Sequence, residues 1–229
     1  MNYGPLLFLG VFITFACSWL GMIFAPQLQI GSQEVVQIET TGQRYPSAHA
    51  GQANQGEQLY RSLGCASCHT QVVRPNDVTA GLGVRISVAQ DYLYENPVML
   101  GSQRIGPDLK NIGLRQPDMN WQLKHLYNPR ALPGSEKSPM PKYPFLFTKR
   151  PMKEGQPPSP DRVLVDANTE IIATPAAYQL VSYLFSLHAE APLFEAPLPQ
   201  SPKTNAVPDS ATTNAPATNA AANTNSPAK

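Results

Sequence analysis

The 229-residue chain has only three cysteines and four histidines. Cys17 stands alone in an apolar run, and there is one Cys-x-x-Cys pair with no second to match it. The chain therefore lacks the four ligands of a structural zinc site and the cysteine density of a disulfide scaffold. Charge is equally scarce. Asp, Glu, Lys and Arg together make up 14% of the residues and almost cancel, leaving a formal net charge of +1. A balance this even offers no electrostatic footprint for a polyanion, which excludes nucleic acid as a partner. Between Gly4 and Ala25 there is no charged residue at all. At about 1.5 Å per residue that run spans roughly 30 Å as a helix, the hydrocarbon thickness of a bilayer. It predicts a transmembrane anchor over residues 1–26. A cleaved signal peptide would carry a basic start, a shorter apolar run and a small-x-small site, and none of these is present. A lipoprotein signal ending at Cys17 is opposed by Thr14-Phe15-Ala16 before it and by the apolar run continuing after it.

What the middle of the chain does contain is Cys65-Ala66-Ser67-Cys68-His69. Two thiols three positions apart can each add to a vinyl group of one porphyrin, and the imidazole that follows reaches the iron from the same side. A thioredoxin-like pair would want a βαβ setting, and half a zinc site would want two more ligands. The motif therefore predicts one covalent haem c. Such haem is attached outside the cytoplasmic membrane, so the anchor is expected to cross a bacterial cytoplasmic (inner) membrane and leave the haem domain in the periplasm. The flanking charges alone do not set this orientation.

Residues 27–53 read as a polar spacer, with an alternating Val35-Val36-Gln37-Ile38 piece that suits a short strand. The haem domain is expected over 54–190. It opens with a helix placing Leu59, Tyr60 and Leu63 on one face, and Gly56 allows a second helix to cross closely. Residues 70–100 look like loop. Gly106-Pro107-Asp108-Leu109 is a turn whose main chain can hold His69 from behind and fix its tautomer. Asp118 caps a helix running to Asn128, and Ser138 to Pro144 is a proline-stiffened loop. Apolar pieces around Asp166-Ala167-Asn168 predict a hairpin within 149–174. Thr174-Pro175 starts a last helix that should pack its Ala177, Leu180, Val181, Leu184, Phe185 and His188 side on the Gly56 helix, with His188 in solvent. Residues 191–229, rich in Pro, Ala and Asn, predict a disordered tail.

Together, the Gly56-x-x-Leu59-Tyr60 helix, Cys65-x-x-Cys68-His69, the Gly106-Pro107 turn, a methionine loop and a closing Tyr183-Leu184-x-Ser186-Leu187 helix resemble the class I cytochrome c fold, all-α and wrapped around haem. More narrowly, several ordered motifs are similar to the mono-haem subunit II of the C-type (cbb) haem-copper cytochrome c oxidases: Cys68-His69-Thr70-Gln71-Val72-Val73-Arg74-Pro75, Gly101 to Leu109, His125-Leu126-x-Asn128-Pro129-Arg130 and Met140-Pro141-x-Tyr143-Pro144. The likeness runs from Gly4 to Leu146. The 149–174 segment and the tail depart from it.

This resemblance implies a respiratory electron-transfer subunit. It would take electrons from a c-type cytochrome or a di-haem subunit and pass them to a catalytic subunit that reduces oxygen, with no catalytic residue of its own. It also implies a calcium ion at the subunit boundary, with Ser102 as a contributor. The rival readings are the cytochrome c subunit of a nitric oxide reductase, which does not predict Arg74-Pro75 or Asn128-Pro129-Arg130, and a haem-based gas sensor. Arg104 and Arg74 are candidate donors to the anionic haem propionates. Met140 is the expected sixth ligand. Met1 and Met22 belong to the anchor, Met99 lies on the other haem face and Met119 suits packing. Met152 sits among Lys149, Arg150 and Lys153, whose burial is costly. Met152 and His125 remain the alternatives to Met140.

Overall fold

The computed structural model describes residues 2–39, 41–49, 51–152, 157–166 and 168–198. Helix α1 (Gly4–Trp19), a π turn (Leu20–Phe24) and α2 (Ala25–Ile30) form one helical run. It is 27 residues long with a mean hydropathy of 2.2, and no residue of its apolar window is buried. The anchor was expected to stop at residue 26, but Pro26 does not end it. Proline inside an α-helix has no N–H to donate and presses on the carbonyl four residues back. Here the preceding turn widens, with the Ala25 amide donating to the Leu20 carbonyl, and the helix continues past the proline.

The spacer forms a small ladder, β1 (Val36–Gln37) antiparallel to β2 (Arg44–Tyr45). Beyond it come α3 (Gln52–Ser62), α4 (Pro75–Thr79), α5 (Ile112–Arg115), α6 (Met119–Tyr127), β3 (Phe147–Pro151), β4 (Arg162–Asp166), β5 (Thr169–Ala173) and α7 (Pro175–Ser186). The all-α expectation needs correcting, since the chain is helix-rich but carries two small sheets. The anticipated hairpin is β4–β5. The strand not anticipated is β3, which pairs with the other edge of β5 to give the order β3-β5-β4. β-Branched and aromatic residues make this sheet part of the core: Phe147, Val163, Ile171 and Ala173 are buried, and the Phe147 ring meets Tyr127 of α6 edge-on at 5.3 Å.

The centre of the domain is the crossing of α3 and α7. A Cβ on Gly56 would lie 1.9 Å from the Gln179 carbonyl oxygen, so only glycine allows the two backbones to come this close. Tyr60 and Tyr183 pack across the crossing with ring centroids 5.2 Å apart. Helix α7 is capped as expected, the Thr174 hydroxyl accepting from the Ala177 amide at 3.4 Å. It buries Ala177, Leu180, Val181, Tyr183 and Leu184 and ends at Ser186. His188 therefore lies beyond the helix, half-buried and paired with Glu190 at 2.9 Å.

Residues 191–198 are ordered by contacts that composition hides. Ala191 and Leu193 are buried with Tyr45 in a satellite cluster, flanked by Val36, Ile38 and Val88. A buried ion pair sits beside it. Both terminal guanidinium nitrogens of Arg85 donate to Asp91, at 2.6 and 3.0 Å, the Tyr45 hydroxyl donates to Asp91 at 2.7 Å, and Arg85 Nε donates to the Ala191 carbonyl at 2.6 Å. The expected disorder of the remaining tail falls on residues 199–229, outside the described residues.

Candidate metal centre

Cys65 to Ser67 form a single 3₁₀ turn that follows α3, and Cys68 and His69 donate their amides to the Cys65 carbonyl at 3.2 and 3.0 Å. This turn puts both thiols and the imidazole on one short stretch of chain. Neither cysteine is in a disulfide, and both are half-buried. Burial pushes the Cys65 thiol up to about 11, the opposite of the stabilised thiolate a redox-active pair requires.

His69 is held from behind. Its Nδ1 lies 2.8 Å from the Pro107 carbonyl oxygen. A carbonyl can only accept, so this contact makes Nδ1 the protonated nitrogen and leaves the Nε2 lone pair free for a metal. The ring rests on Gly106, where a Cβ would come within 2.3 Å of His69 Cε1. The turn bearing these two residues is sewn to the segment after His69. Asp108 accepts from the Thr70 hydroxyl at 2.7 Å, the Val72 amide at 2.8 Å and the Lys110 amide at 2.9 Å, and the Leu109 amide donates to the Thr70 carbonyl at 2.8 Å. Gln71 is fully buried, its side-chain amide donating to the Tyr183 hydroxyl at 3.0 Å while its carbonyl accepts from Tyr92 at 2.7 Å. Reading by motif overlooked Gln71 and Asp108. The signal was there, as polar residues directly beside the two motifs that need fixing to each other.

The Met140 loop is tied to α6 by the Tyr143 amide, which donates to the Leu126 carbonyl at 3.0 Å. Tyr143 also interacts with the Cys65 side chain. Met140 is half-buried and packs on the same core as Cys65, Met119 and Tyr143. Met152 is exposed, and Met99 is buried inside the core. His125 stacks on Trp121 with centroids 4.7 Å apart and an interplanar angle of 11°. The terminal nitrogens of Arg104 pair with Asp77 at 2.5 Å and Asp108 at 3.6 Å and donate to the Val72 carbonyl, while its Nε is buried without a partner among the described residues. Burial of Asp77 opposes its ionisation, but the Arg104 guanidinium holds its carboxyl below the usual range. Arg74 is exposed at the start of α4. Ser102 is exposed, its hydroxyl donating to the Ser67 carbonyl at 3.3 Å.

A half-buried thiol pair on one turn, an imidazole with only its outer nitrogen free and a glycine seat beneath the ring fit a haem bound through the two cysteines. They do not fit a metal chelate, and among the described residues no group of three or more His, Cys, Asp and Glu side chains is arranged to hold an ion. Residues 5–162 match the family model described as cytochrome c oxidase, mono-heme subunit/FixO. The chain belongs to this family. As a mono-haem oxidase subunit it has one haem, takes part in electron transport and works in a complex with other oxidase subunits. No individual curated protein matches the chain. The match ends at residue 162, so most of the β4–β5 hairpin and all of α7 lie beyond the matched stretch.

Proposed function

We propose that the chain is the membrane-anchored, electron-relaying subunit of a C-type (cbb) haem-copper oxidase. Cys65 and Cys68 hold one haem c by thioether bonds, and His69 and Met140 are the axial ligands. The hydrogen bond from His69 Nδ1 to the Pro107 carbonyl carries this reading. It orients Nε2 and raises the donor strength of the imidazole, an arrangement needed for a ligand that must stay on the metal in both oxidation states. When bound, the haem supplies one-electron storage near the protein surface. The chain's own residues would orient it: the Gly106 seat positions the imidazole, Met140 would be offered from its loop, and Arg104 and Arg74 would be donors to the propionates. The donor is a c-type cytochrome or a di-haem subunit, and the acceptor is the catalytic subunit where oxygen is reduced. The 4–30 helix anchors the chain in the bacterial inner membrane with the haem domain in the periplasm. At the boundary with the catalytic subunit, Ser102 contributes to a calcium site.

Copurification tests the assignment. An oxygen-consuming haem-copper core should accompany the chain, and recovery with a core that consumes nitric oxide would overturn it. Within the chain, Met140→Ala should abolish the iron–sulfur charge-transfer band, lower the haem potential and open the haem to carbon monoxide. An unchanged band in that variant would assign the sixth position elsewhere.

A further inference from the structure

The haem reading requires a protein donor for at least one propionate turned toward the chain, since an anionic carboxylate in a closed crevice is costly without a hydrogen bond. The arginine nearest the Gly106-Pro107 turn, Arg104, has both terminal nitrogens committed, to Asp77, Asp108 and the Val72 carbonyl, and keeps only its buried Nε unpaired among the described residues. Helix α6 presents a different group. His125 Nδ1 is buried and has no hydrogen-bond partner among the described residues. Its ring is clamped face to face on Trp121, so it cannot swing freely to solvent for a partner. His69 is near enough to act on it electrostatically. The helix that carries it is tied to the Met140 loop through Tyr143 and Leu126.

A buried ring nitrogen left unpaired gives up the hydrogen bond it had to water, and this one is held in place by aromatic stacking and not by hydrogen bonds. We infer that His125 is a positioning residue for the haem, its Nδ1–H donating to a propionate oxygen while Trp121 holds the imidazole in plane. This rests on the haem assignment above and gives His125 a role other than iron ligand. Asp118 accepts from the Asn120 and Trp121 amides at 2.9 and 3.3 Å, so the start of the helix that aims this pair is itself fixed.

The test compares two substitutions of equal size in the full-length chain within its complex. His125→Asn keeps an N–H close to the position of Nδ1, and His125→Leu removes it. With carboxylate-labelled haem, the redox-induced infrared difference bands of the propionates should be nearly unchanged in H125N and shifted in H125L. Both variants should keep covalent haem and the iron–sulfur charge-transfer band. Identical propionate bands in wild type and H125L would overturn the inference. A wild-type haem without that band, opened to carbon monoxide in H125L, would also overturn it, by making His125 an iron ligand. If neither variant retains haem, the wild-type protein decides through the His125 Nδ1 proton: slow exchange with a deuterium isotope shift on a labelled propionate carbon supports the bond, and rapid exchange with solvent refutes it. Absence of covalent haem from the wild-type chain would count instead against the haem assignment, so the two failures are distinguishable.

Discussion

The surroundings of His69 and the junction of Tyr45, Arg85, Asp91 and Ala191 each bring together parts of the chain that are far apart in sequence, and they do so by opposite means. At His69 the partners are main chain and missing atoms: the Pro107 carbonyl at 2.8 Å and the absent Cβ of Gly106. At the junction they are ionised side chains that are almost entirely buried, at 1% and 0% exposure for Arg85 and Asp91. The first arrangement holds the imidazole without an ionised side chain as its partner. The second must offset a desolvation cost of several kcal/mol per ion, and it does so because Asp91 accepts from Arg85, Tyr45 and the Val88 amide while Arg85 also reaches the Ala191 carbonyl. One region holds an imidazole in a fixed orientation, the other joins the spacer and the 191–198 segment to the domain.

The sharpest test of this contrast is at the seat. Gly106→Ala places a methyl group 2.3 Å from the His69 ring and should reduce haem retention on the order of 10–100-fold, read as haem absorbance per chain. The fold should survive, because Gly106 supports the ring and not the core. Retention at the wild-type level would mean that His69 does not need this seat. The junction should show the reverse pattern. Asp91→Ala leaves Arg85 buried without its counter-ion and should cost about 3–5 kcal/mol of stability, measured by urea unfolding, while chains that do fold still carry haem. Burial opposes ionisation of Asp91, but the Arg85 guanidinium and the Tyr45 hydroxyl hold its carboxyl below the usual range. A depressed carboxylate contributes its stability in full above the ordinary value of about 4 and loses it as pH falls through the lower folded value. Wild type should therefore lose stability below about pH 4 more steeply than Asp91→Asn, and parallel curves would remove Asp91 from the account. The smallest effect is expected at the start of α7, where Thr174→Ala removes the acceptor for the Ala177 amide and a donor to the Leu146 carbonyl. It should cost about 1 kcal/mol and leave haem retention untouched.

The features legible in the sequence were those governed by local chemistry. The uncharged run from Gly4, the caps at Asp118 and Thr174, Gly56 at a helix crossing and the Gly106-Pro107 turn behind His69 each follow from a few adjacent residues and their spacing. What escaped depends on partners far along the chain. Strand β3 is Phe147-Thr148-Lys149-Arg150-Pro151, whose charge and proline argue against a strand until β5 supplies an edge and Glu170 a partner for Arg150 at 2.6 Å. Ala191, Leu193 and Ala196 resemble their low-complexity surroundings, yet they are buried, because small residues close a tight gap without leaving any periodic trace. The engagement of Arg104 by Asp77 was likewise invisible, since that carboxylate comes from α4, 27 residues earlier in the chain.

The acceptor for the His69 Nδ1–H is a main-chain oxygen, which has a consequence for how the domain can vary. Every amino acid at position 107 would carry a carbonyl, so no single codon change can delete this bond as it could delete an aspartate or a glutamine. Substitution can only displace it, by loosening the proline or crowding the glycine before it. Inherited variation at this site should therefore adjust the electronic character of the proximal imidazole in small steps, while outright loss of function is confined to the neighbouring position, where any side chain at all meets the ring.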